Sequence, residues 1–229
     1  MSTASAKTGD AQAVVHAEAG LAIARLVEIL ACESWSGFEF AASLPGTVGG
    51  AVFMNARCYN HEIADILHCV HYFNPETSCT NTVEREEHIW EYKKTPFMPG
   101  GALASCVIVS ADFIVTQGTE QSIRTQMDQY TQDRIAKGHF DYPSAGSMFK
   151  NNRAFGRPTG MILDELGFRG KRIGDAMVSP RHANIFVNAG HATAADMLAL
   201  ITCAQEAARR QFGFDLVDRG FDCGWFITN

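Results

Sequence analysis

Residues 43–65, SLPGTVGGAVFMNARCYNHEIAD, decide how the chain is read. Pro45 and the glycines at 46, 49 and 50 are crowded ahead of a small and apolar run that ends in Met54 and Asn55. Glycine has no Cβ, so backbone N–H groups in such a stretch can lie flat against an anion such as a pyrophosphate. The spacing is neither GxGxxG ahead of a helix nor GxxxxGK[ST], which removes the dinucleotide-fold and P-loop readings. A packing turn and a ligand-facing loop both remain, and the rest of the chain must choose between them.

The bulk properties narrow the classes. A chain of 229 residues buries a good core in one or two domains. Hydrophobic content of 46% with 19% charge describes a globular chain rather than a disordered one. The net charge of -6 argues against a nucleic-acid partner, which needs a basic surface. Seven cysteines are dispersed without a CxxC pair, so reduced, buried thiols in a cytoplasmic protein are expected. No apolar run reaches membrane-spanning length and the first residues carry no apolar signal core, so no membrane association is expected.

Local patterns give the elements. AVVHAEAG reads as a strand and LAIARLVEILACE as an amphipathic helix. ILHCVHYFN and CVIVSADFIVTQ are rich in β-branched and aromatic residues and read as strands. TEQSIRTQMDQYTQDRIAK is a helix behind a Thr119 cap, after which GHFDYPSAG breaks the pattern. A boundary near Gly138 follows, giving domains 1–137 and 138–229. Beyond it, TGMILDELG is a short helix stopped by Gly167, and RIGDAMV and ANIFVN are strands. TAADMLALITCAQEAARRQFG is the longest helix, with Thr193 and Asp196 as a capping box; FDLV and GWFIT read as closing strands. Helices and strands mix without strict alternation, which predicts an α+β fold.

Beyond the glycine stretch, chemistry-bearing residues fall in three places. Ser147, in PSAGSMFKNN, follows a glycine with Lys150 and Asn151 close behind. A serine there can donate a proton or simply cap a helix. His182, in VSPRHANIFVN, is either a hydrogen-bonded structural residue or a participant in proton transfer. Tyr92, Lys93 and Lys94 cluster in WEYKKTPF, where a solvated charge pair at a strand end is the plain alternative. No His, Cys, Asp or Glu cluster has metal-ligand spacing, so no metal site is expected.

Taken in order, four blocks resemble the UDP-N-acetylenolpyruvoylglucosamine reductases (MurB, UDP-N-acetylmuramate dehydrogenase), flavoenzymes of peptidoglycan precursor synthesis. SGFEFAASLPGTVGGAVFMNA is similar to that family's central flavin loop, and EYKKTPF to its Tyr-Arg-Asp-Ser-x-Phe segment. PSAGSMFKNN is similar to its Ala-Gly-Ser-Phe-Phe-Lys-Asn-Pro segment, and GFRGKRIGDAMVSPRHANIFVN to its Gly-Leu-Lys-Gly…Val-Ser-x-x-His-Ala block. The resemblance implies the second half of a two-subdomain, vanillyl-alcohol-oxidase-like FAD-binding domain, followed by a MurB C-terminal-like substrate domain. It implies FAD and NADPH as cofactors and a UDP-sugar substrate. Pro45, Gly46, Thr47, Gly49, Gly50 and Asn55 are the implied flavin contacts. Ser147 is the implied proton donor, Lys93 the implied charge near the substrate carboxylate, and Tyr92, Lys137, Lys150, Asn151 and His182 the implied substrate contacts.

Several positions depart from the family pattern. The Tyr-Arg pair reads Tyr92-Lys93, which keeps the charge and loses the bidentate fork. Arg57 and Asn60 stand where the family has glycines near the flavin, and the family's C-terminal glutamate aligns to Arg219 or, shifted by one, to Asp218. The family's N-terminal Gly-x-Gly-Ser-Asn subdomain has no counterpart here. Either the start is placed too late, or the gene is truncated, or another chain supplies that subdomain; self-association is expected unless another chain covers the face it leaves. The alternative function from another class is a non-catalytic nucleotide-sugar or partner-binding module.

Overall fold

The structure, a computed structural model, describes residues 12–218. It divides into two compact units, Met1–Thr131 and Gln132–Asn229, and the division falls inside the helix that the sequence reading ends at Lys137.

In the first unit the elements run β1 (Gln12–Glu18), α1 (Ile23–Cys32), β2 (Trp35–Ser36), α2 (Val48–Phe53), β3 (Arg57–Cys58), β4 (His61–Glu62), β5 (Leu67–Asn74), β6 (Cys79–Glu84), β7 (Val107–Gln117) and the long helix α3 (Glu120–Ala136). An antiparallel sheet has the order β1-β7-β5-β6, with β2 also pairing β7; β3 and β4 form a separate hairpin. α1 buries Ile23, Leu26, Val27 and Leu30, the stripe its periodicity predicts. That stripe joins Val48 and Val52 of α2 and Phe113 and Val115 of β7 in one core. Phe38 meets Phe113 edge-on, with ring centroids 5.0 Å apart. Thr119 Oγ1 accepts from the Ser122 amide at the start of α3, as its capping role requires.

The second unit contains β8 (Ser144–Ser147), α4 (Thr159–Glu165), β9 (Arg172–Ile173), β10 (Ala176–Val178), β11 (Ile185–Asn188) and α5 (Ala194–Phe212). Its antiparallel sheet has the order β8-β11-β10-β9. α5 buries Met197, Leu200, Ile201, Ala204 and Ala208 against Phe149, Phe168 and Phe186. Its predicted capping box is present: Asp196 N–H donates to Thr193 Oγ1 at 3.1 Å, and Thr193 N–H to Asp196 Oδ2 at 2.8 Å. Gly213 ends the helix in the left-handed region.

Antiparallel sheets with helices packed on them make the fold α+β. Four local expectations need correction. RIGDAMV is not one strand but the hairpin β9–β10, because Gly174 and Asp175 turn the chain between them. The glycine stretch is only partly a loop: Gly49 and Gly50 lie in the first turn of α2. FDLV forms no strand, although Asp218 just beyond it makes an isolated bridge to Phe149, and GWFIT lies outside the described residues. The described thiols are mostly not buried: Cys69 is buried, Cys32 and Cys79 are exposed, and the other three are intermediate. Cys79, for example, sits exposed on β6, the last strand in the sheet order.

Candidate active site

The second unit holds a polar cavity of about 230 Å³ lined by Ser147, Asn151, Asp164, Arg169, Arg181 and His182, among others. Three of the sequence-predicted residues, Ser147, Asn151 and His182, therefore meet at one place. Ser147 reaches it from the end of β8, where it pairs with Ile185 of β11. It is a strand residue rather than a cap. The neighbouring backbone is clamped by Asn184, which accepts from the Phe149 amide and donates to the Phe149 carbonyl, each at 2.9 Å. Asn184 is buried and has both ends of its amide satisfied, so it fixes where Ser147 sits. Sequence reasoning assigned it nothing, although it lies two residues beyond His182.

His182 is positioned by its own loop. The Asn184 amide donates to His182 Nδ1 at 3.2 Å, which leaves the neutral ring's proton on Nε2. Burial holds this imidazole below its ordinary pKa, and the positive charges of Arg169 and Lys137 add to the effect. Gly160 gives the ring room: a Cβ there would stand 3.2 Å from His182 Cε1. Behind it His139 lies with ring centroids 6.2 Å apart, and burial and Arg134 push its pKa down to about 4. Both imidazoles are thus neutral at physiological pH.

Two guanidinium groups flank the cavity, and the sequence reading gave neither a role. Arg169 grips Asp164 through two contacts, at 2.5 and 2.6 Å. Arg181 pairs with Asp141 at 3.3 Å and donates to the Ile135 and Ala136 carbonyls. Asn151 Oδ1 accepts from the Thr159 amide at 3.0 Å, so it starts α4 as well as lining the cavity. Lys150 is half-buried beside it, held through its backbone by Val217 and Thr159, and does not line the cavity. Lys137 is exposed and pairs with Asp133 at 2.6 Å. A hydroxyl, a neutral imidazole and two guanidiniums, each paired with a carboxylate, suit a polar anionic ligand.

In the first unit, residues 45–50 are pinned against residues 19–23. Gly46 O accepts from Ile23 N–H, while the Val48 and Gly49 amides donate to Leu21 O and Ala19 O. Gly49 is there for packing: a Cβ would come within 2.9 Å of the Ala19 Cβ. Its amide is spent internally. Pro45, Gly46, Thr47 and Gly50 are exposed. Gly46 has φ +111, which demands glycine, and faces open space; at Gly50 a Cβ would meet only Thr47 Oγ1, at 3.6 Å. Internal packing gives no reason for glycine at 50, and the bare backbone surface there fits a flat cofactor laid across it.

Asn55 is fully buried. Its Oδ1 accepts from the Ala64 amide at 3.0 Å and its Nδ2 donates to the Glu91 carbonyl at 3.2 Å. Its side chain is thus used within the protein, and it ties the end of α2 to the 91–94 turn carrying Tyr92 and Lys93. That turn closes through reciprocal Glu91 and Lys94 backbone bonds, with Lys93 at φ +56 and its Nζ 6.0 Å from the Tyr92 ring centroid. Arg57 is exposed on β3, and Arg219 lies outside the described residues.

Known proteins agree with both halves. The family model described as "UDP-N-acetylenolpyruvoylglucosamine reductase, C-terminal domain" matches residues 138–218, and the one described as "FAD binding domain" matches residues 5–81. The chain is similar to UDP-N-acetylenolpyruvoylglucosamine reductase of Treponema denticola, at 40% identity over 87% of this chain and 64% of that protein. It is similar to that of Latilactobacillus sakei at 38% identity, over 86% and 63% of the respective lengths. It therefore spans just under two thirds of these curated relatives. The solved structure of the Thermus caldophilus enzyme superimposes with a TM-score of 0.74 and 31% identity, over 88% of this chain and 70% of that one.

Proposed function

The chain belongs to the UDP-N-acetylenolpyruvoylglucosamine reductase family, and from that premise we propose that it carries the substrate half-site and part of the flavin site of a reductase. That reductase would convert UDP-N-acetylenolpyruvoylglucosamine to UDP-N-acetylmuramate in the cytoplasm, drawing electrons from NADPH. The observation that carries this reading is the meeting of Ser147, His182 and two guanidiniums in one cavity. Pro45, Gly46, Thr47 and Gly50 would hold FAD against their exposed backbone, with Gly49 and Asn55 shaping that surface from behind. When bound, the flavin supplies the hydride that the enolpyruvyl β-carbon accepts.

The chain's own residues supply the rest. Ser147 Oγ donates a proton to the α-carbon, which completes saturation of the double bond. The geometry of β8, clamped through Asn184, holds that hydroxyl in place before the substrate arrives. Neutral His182, with its proton on Nε2, donates a hydrogen bond to the substrate, and solvent returns the proton to the serine oxygen. Arg169 and Arg181 supply positive charge for the anionic parts of the substrate. Tyr92 and Lys93 serve the carboxylate from the 91–94 turn, and Lys137, Lys150 and Asn151 the sugar and diphosphate.

The test uses the protein carrying FAD and follows the two half-reactions separately by stopped-flow absorbance. Ser147→Ala is expected to leave flavin reduction by NADPH unchanged. It should slow reoxidation by the enolpyruvyl substrate by about 10²- to 10⁴-fold, the usual worth of general acid catalysis. Ser147→Cys should retain more activity than Ser147→Ala, because a thiol also donates. Reoxidation of Ser147→Ala at the parental rate would sink the assignment. A chain that binds the UDP-sugar but no flavin would favour a non-catalytic binding module instead.

A further inference from the structure

One cross-strand row of the first unit's sheet reads His16, Asp112, Cys69, Glu84 across β1, β7, β5 and β6. His71 stands two residues from Cys69 on the same strand and so points to the same side. This is the face opposite the hydrophobic core, whose residues Ala17, Val70, Ala111 and Phe113 alternate with these. The ligand atoms of His16, His71 and Asp112 all lie within 4.8 Å of one another. The sequence shows no such cluster, because its members are up to 96 residues apart.

We propose that His16, His71 and Asp112 form a site for a divalent transition metal of the zinc type; Cys69 stands outside that 4.8 Å group but beside Asp112 and His71, and closes in as the fourth donor when the metal binds. The spacing suits it. Four donors around zinc at ordinary bond lengths lie about 3.3–3.6 Å from each other. Here His71 Nε2 is 3.3 Å from Asp112 Oδ2, and Cys69 Sγ is 3.4 Å from that oxygen and 3.8 Å from His71 Nε2. His16 Nδ1 is closer, 2.6 Å from Asp112 Oδ1, the length of a hydrogen bond that a metal replaces by opening less than ~1 Å.

A second shell is in place. Thr82 Oγ1 stands 2.9 Å from His71 Nδ1, and this partner turns Nε2 toward Asp112. The hydroxyl can give or take that proton, so it serves both the empty and the loaded ring. Burial works to raise the Asp112 pKa, but hydrogen bonds from His16, His71 and Cys69 outweigh it and keep the carboxylate charged. Burial, with Asp112 beside it, pushes the Cys69 thiol up to about 12. A bound cation reverses that balance, since a coordinated thiol gives up its proton.

Two imidazoles, a carboxylate and a thiolate select zinc or cobalt over magnesium or calcium, which prefer all-oxygen shells. A metal there links three neighbouring strands whose residues are far apart in the chain. It binds the folded state alone, so it raises thermal stability in proportion to its saturation.

The experiment titrates the metal-stripped, reduced full chain with Zn²⁺ against a chromophoric chelator, in a Cys32→Ser, Cys79→Ser background that removes the thiols exposed among the described residues. One tightly bound zinc per chain is expected, with a rise in Tm that Mg²⁺ does not produce. Thr82→Ala should weaken binding by about 10-fold, typical of an outer-shell partner. His16→Gln with His71→Gln should abolish it, while far-ultraviolet circular dichroism stays parental. Co²⁺ should show thiolate charge-transfer absorption that Cys69→Ser removes. Absence of saturable binding, or stoichiometric binding that survives the double histidine substitution, overturns the site. A cobalt spectrum without thiolate absorption overturns the assignment of Cys69.

Discussion

Asn55 donates from Nδ2 to the Glu91 carbonyl at 3.2 Å, while its Oδ1 takes the Ala64 amide at 3.0 Å. One buried amide thus holds the exit of α2 against both the 62–65 turn and the 91–94 turn. Thr95 adds a parallel link, donating to the Phe53 carbonyl at 2.9 Å. Asn55→Ala leaves two backbone groups unsatisfied in a site with no solvent exposure. It is expected to cost about 2–6 kcal/mol, since each orphaned group costs about 1–3. Urea denaturation with an unchanged m-value would measure it.

Gly49 and Gly50 are adjacent and are expected to behave oppositely. Gly49→Ala drives a Cβ against Ala19, and overpacking of this kind costs about 1–3 kcal/mol. Ala19→Gly in the same chain should recover most of it. Gly50→Ala meets only Thr47 Oγ1 and should be neutral or slightly stabilising, because alanine is the better helix former. If the exposed backbone seats FAD, Gly50→Ala should nonetheless weaken flavin binding. Thermal melts and flavin fluorescence titration separate the two effects.

His139 gives the second unit an acid sensitivity of known sign. Its folded pKa is depressed to about 4 from an ordinary 6.5, chiefly by burial. Between those values the unfolded chain binds a proton that the folded chain refuses, so stability falls as pH drops from about 6.5 toward 4. His182, depressed in the same direction, adds to the loss. Chemical denaturation at a series of pH values should show this slope, and His139→Gln should flatten it.

Arg181 tests whether the cavity recognises anions. It is half exposed, so its ion pair with Asp141 contributes only about 0–1 kcal/mol. Arg181→Ala should therefore leave Tm nearly unchanged while lowering affinity for UDP by about 10-fold, the worth of one charged hydrogen bond. Calorimetric titration with UDP reads this directly. A large stability loss with unchanged UDP binding would make Arg181 a latch on the Ile135 and Ala136 carbonyls instead.

The sequence by itself determined the family, through four ordered blocks, and most elements whose signals are local. The α1 stripe, the Thr119 cap and the Thr193–Asp196 box depend on neighbours three or four residues away, and each can be read from the chain as written. The turn at Gly174–Asp175 escaped because apolar residues continue on both sides of it. Tertiary structure alone decided what Asn55, Gly49 and Asn184 do, because their partners at Glu91, Ala19 and Phe149 are 36, 30 and 35 residues away. It alone brought Arg169 and Arg181 to the Ser147 cavity. It also made one patch of His16, Cys69, His71 and Asp112, because antiparallel register sets residues side by side without regard to their separation along the chain. No spacing rule read along the sequence contains that information.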